Sequence, residues 1–343
     1  MNSRELFHAA SEGKKTPRAP FWIMRQAGRY LPEYRKLKEK YGFLEIVKTP
    51  ELALEVALQP MRRFDFDCAI VFSDILVVSE ALGFSYNFKD GGGIALERTV
   101  KSESDVENMP PAEIVREKLK YVIDAIKLLR SALPDKAILG FCASSFTLGA
   151  YMFEGTSKNN FEGYKNLAKN EPKVFEKFLN KLDEALIEYV KMQAEAGIDA
   201  LQIFDSNASL STSGEYANMS ALHSKKLTGT LREKDVKSIL YAKGMNFRFE
   251  ELLSADADVY SVDSTRTLAE LKNLCGKRYA LQGNLSEDLL GKSSPQSVRE
   301  KTFEILNSLE GSHILNLGHG IKPDAKIENV EAFANTAKEF KYL

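Results

Sequence analysis

Arg25 and Arg29 flank Gln26, Ala27 and Gly28 and follow a short apolar run at 20–24. Guanidinium forks bind carboxylate or phosphate in bidentate fashion. The small residues between them let the main chain come close to a ligand. With Arg35 and Lys36 just beyond, the stretch reads as a capture site for a polyanionic small molecule. Pairing with acidic groups on a protein rim is the competing reading. Asp74 lies inside Val71-Phe72-Ser73-Asp74-Ile75-Leu76. An unpaired carboxylate there is costly, so it meets an arginine or faces a ligand cation or N–H donor. His319 stands in Asn316-Leu317-Gly318-His319-Gly320, whose glycines signal a tight turn and a close approach. A satisfied structural histidine fits that pattern as well. Tyr151 reads equally as a helix-start core residue, and Ser206, in Phe204-Asp205-Ser206-Asn207, as a helix N-cap.

Other chemistries find little support. His313 and His319 are six apart, and His8 and His223 have no acidic or thiol neighbour in pattern, so zinc spacing is missing. There is no GxGxxG after the first apolar run, no Walker A and no Ser-centred elbow. No metal or organic cofactor is expected. The 343 residues carry 47 Lys+Arg and 48 Asp+Glu, a net charge of −1, which argues against a general nucleic-acid binder. Cys68, Cys142 and Cys275 are odd in number and far apart, pointing to buried thiols in a reducing compartment. Residues 1–15 are polar, without a secretory apolar core, and no run approaches a membrane span. A soluble, cytoplasmic protein is expected.

Eight short apolar runs set the frame: 20–24, 68–73, 137–142, 200–204, 238–242, 259–262, 279–281 and 313–317. Their Val/Ile/Phe/Tyr content suits buried parallel strands. Helix-period stretches at 50–64, 114–133, 172–197, 266–275, 295–309 and 328–340 lie between or after them, the third with Asn170 as its N-cap. The alternation predicts an α/β fold, a (β/α)8 TIM barrel forming a single domain over 1–343. An open doubly wound sheet is the runner-up. The glycines at 91–93 and Pro110-Pro111 read as loop excursions. In a barrel, active sites form at the C-terminal ends of the strands. Arg25, Arg29, Asp74, Ser144, Ser145, Tyr151, Asp205, Ser206, Lys243, Asp263, Asn284 and His319 would then line one mouth.

Met24-Arg25-Gln26-Ala27-Gly28-Arg29-Tyr30-Leu31-Pro32-Glu33-Tyr34 resembles the signature of the uroporphyrinogen decarboxylases. The likeness continues through Leu58-Gln59-Pro60, Phe72-Ser73-Asp74-Ile75-Leu76-Val77-Val78, Gly140-Phe141 and Phe146-Thr147-Leu148. It goes on at Tyr151-Met152, Glu154-Gly155, Leu281-Gln282-Gly283-Asn284-Leu285 and Asn316-Leu317-Gly318-His319-Gly320. It spans nearly the whole chain. The resemblance implies a homodimeric, cofactor-independent barrel enzyme of haem and tetrapyrrole biosynthesis. Such an enzyme converts the four acetate arms of uroporphyrinogen III to methyl groups, giving coproporphyrinogen III. It implies Asp74 and Arg25 at the catalytic centre. Arg25, Gln26, Ala27, Gly28 and Arg29 would hold substrate carboxylates, Asp74 the pyrrole N–H groups, and Tyr151, Ser206 and His319 further substrate contacts. A guanidinium with a pKa above about 12 is a poor general acid, so the arginines are read as binding groups and the proton donor stays unassigned.

The chain also departs from the pattern. Ala143-Ser144-Ser145 precedes Phe146 where the family has a proline, and Asp205-Ser206-Asn207-Ala208-Ser209 replaces Asp-Ser-Trp-Ala-Gly. Residues 214–228 lack a Pro-Tyr, and Asp263-Ser264 replaces Asp-Trp. All are expected on the pocket rim. The alternatives are a divergent paralogue with another tetrapyrrole substrate or no catalysis, and a porphyrin-binding protein. A related branch that transfers methyl groups with zinc needs a His-x-Cys and a distant Cys, and no histidine here has that partner.

Overall fold

The computed structural model describes residues 1–88, 93–156, 158–309 and 311–342, without the side chains of 158 and 159. In chain order the strands are β1 (Cys68–Ile70), β2 (Tyr86–Phe88), β3 (Ile94–Leu96), β4 (Ala137–Ala143), β5 (Ala200–Asp205), β6 (Lys237–Ala242), β7 (Val259–Ser261), β8 (Ala280–Leu285) and β9 (His313–Leu317). Seven of them form one parallel sheet in the order β1-β4-β5-β6-β7-β8-β9, while β2 and β3 pair as a separate antiparallel hairpin. The sheet strands β4, β7, β8 and β9 are buried along their whole length, as expected of parallel strands covered by helices on the connections.

The 20–24 run is not a full strand. It makes one parallel bridge, Phe21 to Leu315, with Leu315 N–H donating to Pro20 O at 2.9 Å. On its other side Asp67 N–H donates to Phe21 O at 3.0 Å. Pro20 has no N–H to give, and the Met24 N–H goes to the Asn316 side chain at 3.0 Å rather than to a neighbouring strand. The ladder therefore stops after one bridge.

The helix Pro50–Phe64 has the expected bounds. The 114–133 stretch divides at Leu119 into Ile114–Lys118 and Lys120–Ala132. The long helix runs Pro172–Glu195 with Glu171, not Asn170, at its N-cap. A further helix, Ser3–Ser11, precedes them and is opened by an Asn2/Glu5 capping box. It sits at the N-terminal ends of the strands, where its Arg4 and His8 reach Asp199 at 2.6 and 2.9 Å. Nearby, Arg18 grips Asp67 with two bonds of 2.6 and 2.7 Å. His313, at the start of β9, is wholly buried, and burial pushes its pKa down to about 4, so it is neutral. Gly91 and Gly92 lie outside the described residues, and Pro110-Pro111 is loop as expected. Among the described residues no helix is long and apolar enough to cross a membrane.

Candidate active site

Arg25 is placed by its neighbours on both sides. The Asn316 amide oxygen holds Met24 N–H, and Met24 O accepts Ile321 N–H at 2.9 Å, so the Arg25 turn is fastened to the loop carrying His319. Arg25 itself has φ +64°, a conformation costly for a residue with a Cβ. Its guanidinium acts electrostatically on Asp74, Tyr151, His319 and Tyr241, the last from β6. Thus Asp74, Tyr151 and His319, drawn from three distant segments, lie within electrostatic reach of one guanidinium, that of the exposed Arg25.

Asp74 lies where the chain leaves β1. Its carboxylate caps its own turn, accepting Leu76 N–H at 2.8 Å. The side chain is deep in the protein yet the residue keeps some exposed surface. Burial pushes its pKa up. The Leu76 N–H, the Tyr86 hydroxyl and the Arg25 charge pull it back, and Glu80 adds to the rise. Nothing local in the sequence ties Tyr86, on the hairpin strand β2, to Asp74. His319 is half-buried, packs edge-on against Tyr241 at 6.0 Å, and is shifted down by burial, Arg25 and Lys243. Its imidazole is therefore neutral at pH 7.

The remaining residues fall into two groups. Arg29 is exposed, and Arg35 braces it by donating to the Arg29 and Tyr30 carbonyls at 2.8 and 3.0 Å. Gln26 is turned inward: it is 1% exposed and its amide donates to Cys68 O at 3.1 Å, so its side chain belongs to the core. Ala27 and Gly28 are half-buried beside it. Tyr151 sits in the second turn of a helix, Ser145–Glu154, rather than at its start. Ser206 follows β5 at the same end of the sheet, half-buried. It does not cap a helix, because the short turn Ala208–Leu210 has Asn207 in that position.

Two expected rim residues are not on the rim. Ser144 and Ser145 are wholly buried. Ser144 is the N-cap of the Tyr151 helix, accepting Thr147 N–H at 3.0 Å. Ser145, standing where the family has proline, donates to Asp183 at 2.5 Å, and Asp183 also holds His223 at 2.8 Å and Lys226 at 2.6 Å. Asn207 is half-buried, while Ser209 and Ser264 are exposed. Among the described residues no cluster of three His, Cys, Asp or Glu side chains is placed to hold a metal ion, and the three cysteines are buried and free.

The two glycines around His319 are used for close approach. A Cβ on Gly318 would lie 2.6 Å from Ser264 N, and one on Gly320 2.4 Å from Arg25 Cδ and 2.9 Å from its Cγ and Nε. Gly320 does not need a positive φ, so alanine there would displace Arg25 rather than strain the turn. Gly320→Ala is expected to fold normally and to lower kcat/KM by about tenfold to a hundredfold, the scale of a 1 Å misplacement. Steady-state kinetics beside a thermal melt checks this. Wild-type kinetics would show that Arg25 need not sit where it does.

Comparison with known proteins bears on the same residues. The family model described as uroporphyrinogen decarboxylase (URO-D) matches residues 2–340. The chain is 37% identical over 335 residues to a uroporphyrinogen decarboxylase of Ruthia magnifica subsp. Calyptogena magnifica, covering 95% of this chain and 96% of that one. It is 35% identical over 347 residues to the uroporphyrinogen decarboxylase of Chlorobaculum tepidum, covering 99% and 98%. Among solved structures, a methyltransferase from Methanosarcina mazei superposes with a TM-score of 0.84 at 21% identity, over 99% of each chain. At that identity the likeness concerns the fold alone. The full-length matches at 35–37% identity place the chain in the uroporphyrinogen decarboxylase family.

Proposed function

We propose that this chain decarboxylates the four acetate side chains of uroporphyrinogen III, giving coproporphyrinogen III, without a metal or organic cofactor. The observation that carries the reading is a largely buried carboxylate, Asp74, within electrostatic reach of the Arg25 guanidinium, whose charge also acts on Tyr151 and on a neutral His319. A substrate with eight carboxylates and four pyrrole N–H groups needs both charges. Arg25 and Arg29 bind side-chain carboxylates. Ala27 and Gly28 let the ring approach, Gln26 holds the turn, and Tyr151, Ser206 and His319 complete the contacts. Asp74 accepts the pyrrole N–H groups.

Each acetate loss consumes one proton and releases one carbon dioxide. A proton adds to a pyrrole ring carbon, making the ring cationic. The electrons of the breaking CH2–COO⁻ bond flow into that ring. The exocyclic carbon then gains a proton as the ring carbon loses its own, and a methyl group remains. Asp74 stabilises the cationic ring electrostatically, as a charge already in place when the new charge develops. The reading includes a closed (β/α)8 barrel in a single domain, with the 20–24 segment as its eighth member, acting as a homodimer in the cytoplasm. The hydrogen bonds of that segment to Leu315 on one side and Asp67 on the other support closure.

The test is an anaerobic assay with chemically reduced uroporphyrinogen III, the products being oxidised and separated by carboxylate number. A series of seven-, six-, five- and four-carboxylate products is expected. Binding of substrate by folded protein without any product would overturn the reading in favour of a tetrapyrrole carrier or a paralogue.

A further inference from the structure

Asp205 takes no part in the chemistry just described, yet it is the most enclosed carboxylate at the mouth end of the sheet. It ends β5, has no exposed surface, and accepts three hydroxyl groups: Ser144 at 2.9 Å, Thr147 at 2.8 Å and Ser220 at 2.5 Å. Burial raises its pKa and the hydroxyls, with Tyr216 beside them, pull it back. Burying a carboxylate against hydroxyls alone is expensive, so its placement calls for a reason.

The donors explain it. A hydroxyl has one proton to give and lone pairs left to accept with. Ser144, having given its proton to Asp205, accepts Thr147 N–H and caps the helix Ser145–Glu154. Thr147, having given its proton to Asp205, accepts Asn207 N–H at 3.1 Å. An acceptor-only carboxylate thus fixes the direction of both hydroxyls. It ties the start of the helix to the Ser206-Asn207 turn. Tyr151 is one turn beyond Thr147, at i+4, on the same face of that helix. Ser206 is the residue between Asp205 and Asn207.

We infer that Asp205, acting through Thr147 and Ser144, is a positioning residue that locks the Tyr151 helix and the Ser206 turn into one unit of the substrate-binding wall. The inference rests on the proposed roles of Tyr151 and Ser206 and goes beyond them by naming what holds the two in register. Asp205 itself touches no substrate.

The experiment is a double-mutant cycle on the full-length enzyme, read as kcat and KM for uroporphyrinogen III. Thr147→Val keeps the shape and deletes the hydroxyl. It is expected to lower kcat/KM by about tenfold or more, largely through KM, because misplacement rather than lost chemistry is the cause. Thr147→Ser, which keeps the hydroxyl, is expected to restore activity. The losses in Thr147→Val and Ser206→Ala are expected to overlap, the double variant losing less than their product. A merely structural role would reduce the concentration of active enzyme and leave KM unchanged. Unchanged KM, failure of Thr147→Ser to rescue, or full additivity overturns the inference. If Thr147→Val does not fold, Asp205→Asn takes its place in the same cycle, with a smaller loss and the same overlap expected; additivity there overturns it equally. Silence of both Ser206→Ala and Tyr151→Phe counts instead against the reading of the site, so the two failures are told apart.

Discussion

Asp74→Asn is expected to slow turnover by roughly 10²–10³ while making the protein more stable at neutral pH. The loss follows from charge. The amide keeps the size of the group and still accepts Leu76 N–H, which the carboxylate holds at 2.8 Å, but it offers no negative charge to a cationic ring. Deleting a preorganised electrostatic group typically removes about 3–4 kcal/mol of transition-state stabilisation, or roughly 10²–10³ in rate. Four sequential decarboxylations compound that loss in the yield of the final product. The gain in stability follows from the same burial. Because burial raises the Asp74 pKa, the folded state binds its proton more tightly than the unfolded chain does. Ionising Asp74 therefore weakens the fold as pH rises through the window between the unfolded value, about 4, and the raised folded value, and the deficit persists above it. Asparagine carries no such deficit. The melting temperature of Asp74→Asn should exceed that of the parent at pH 7, with the gap closing below about pH 4. Equal melting temperatures across that range would mean that Asp74 is not held at a cost. A variant whose rate falls by less than about tenfold would mean that its charge is not what the reaction uses.

What the sequence disclosed follows from how local each signal is. The helix Pro50–Phe64 and the strand His313–Leu317 were legible to the residue because apolar spacing and terminal residues alone define them. The apolar run at 279–281 predicts three residues for β8, which has six, Ala280–Leu285. Its Gln282, Gly283 and Asn284 look like loop. They are strand because the interior is polar there: Gln282 links Trp22 at 2.9 Å, Gln202 at 3.0 Å and Ser261 at 2.9 Å. No window along one strand contains those partners. The Ser3–Ser11 helix did leave a trace, the Asn2…Glu5 spacing of its capping box. Arg25, Asp74, Tyr151 and His319 could be named because each stands at a strand end or in a family motif. Tyr86 could not, since it acts only on a carboxylate 12 residues away; Thr147 stands in the Phe146-Thr147-Leu148 motif, but nothing there points to its bond with Asp205, 58 residues on. Gln26 is the converse. The resemblance implies a substrate contact there, whereas the bond of its amide to the Cys68 carbonyl, 42 residues on, turns the side chain into the core.

Asp199→Ala is expected to cost about 3 kcal/mol of stability, at the lower end of what removing one partner of a buried ion pair costs, and to leave kcat per folded molecule unchanged. Asp199 immediately precedes β5, at the end of the strand opposite Asp205. Its side chain is 1% exposed and accepts Arg4 at 2.6 Å, His8 at 2.9 Å, the Ile138 N–H at 2.7 Å, and Arg130. Burial pushes its pKa up, but His8, the Ile138 N–H and the two arginines more than offset this and hold it below the usual carboxylate range. Arg130 bears the opposing cost: burial and the nearby Arg4 charge lower its pKa even as Asp199 raises it. Alanine leaves two guanidinium groups facing each other and a buried N–H without its acceptor. Arg4, 45% exposed, can swing into water, whereas Arg130, 19% exposed, is less free to leave, which is why the loss stays near 3 kcal/mol. A depressed carboxylate contributes stability that is fully present above the unfolded pKa, about 4, and is lost as pH falls through the lower folded value. The difference between parent and variant in urea unfolding should therefore be constant from pH 7 down to about 5 and shrink below 4. In a fold of parallel strands with chemistry at their C-terminal ends, the N-terminal ends are free to serve stability. Asp199 binds the Ser3–Ser11 helix to β4 and β5 there, far from Arg25. If the variant lost kcat without losing stability, that division between the two ends of the sheet would not hold for this protein.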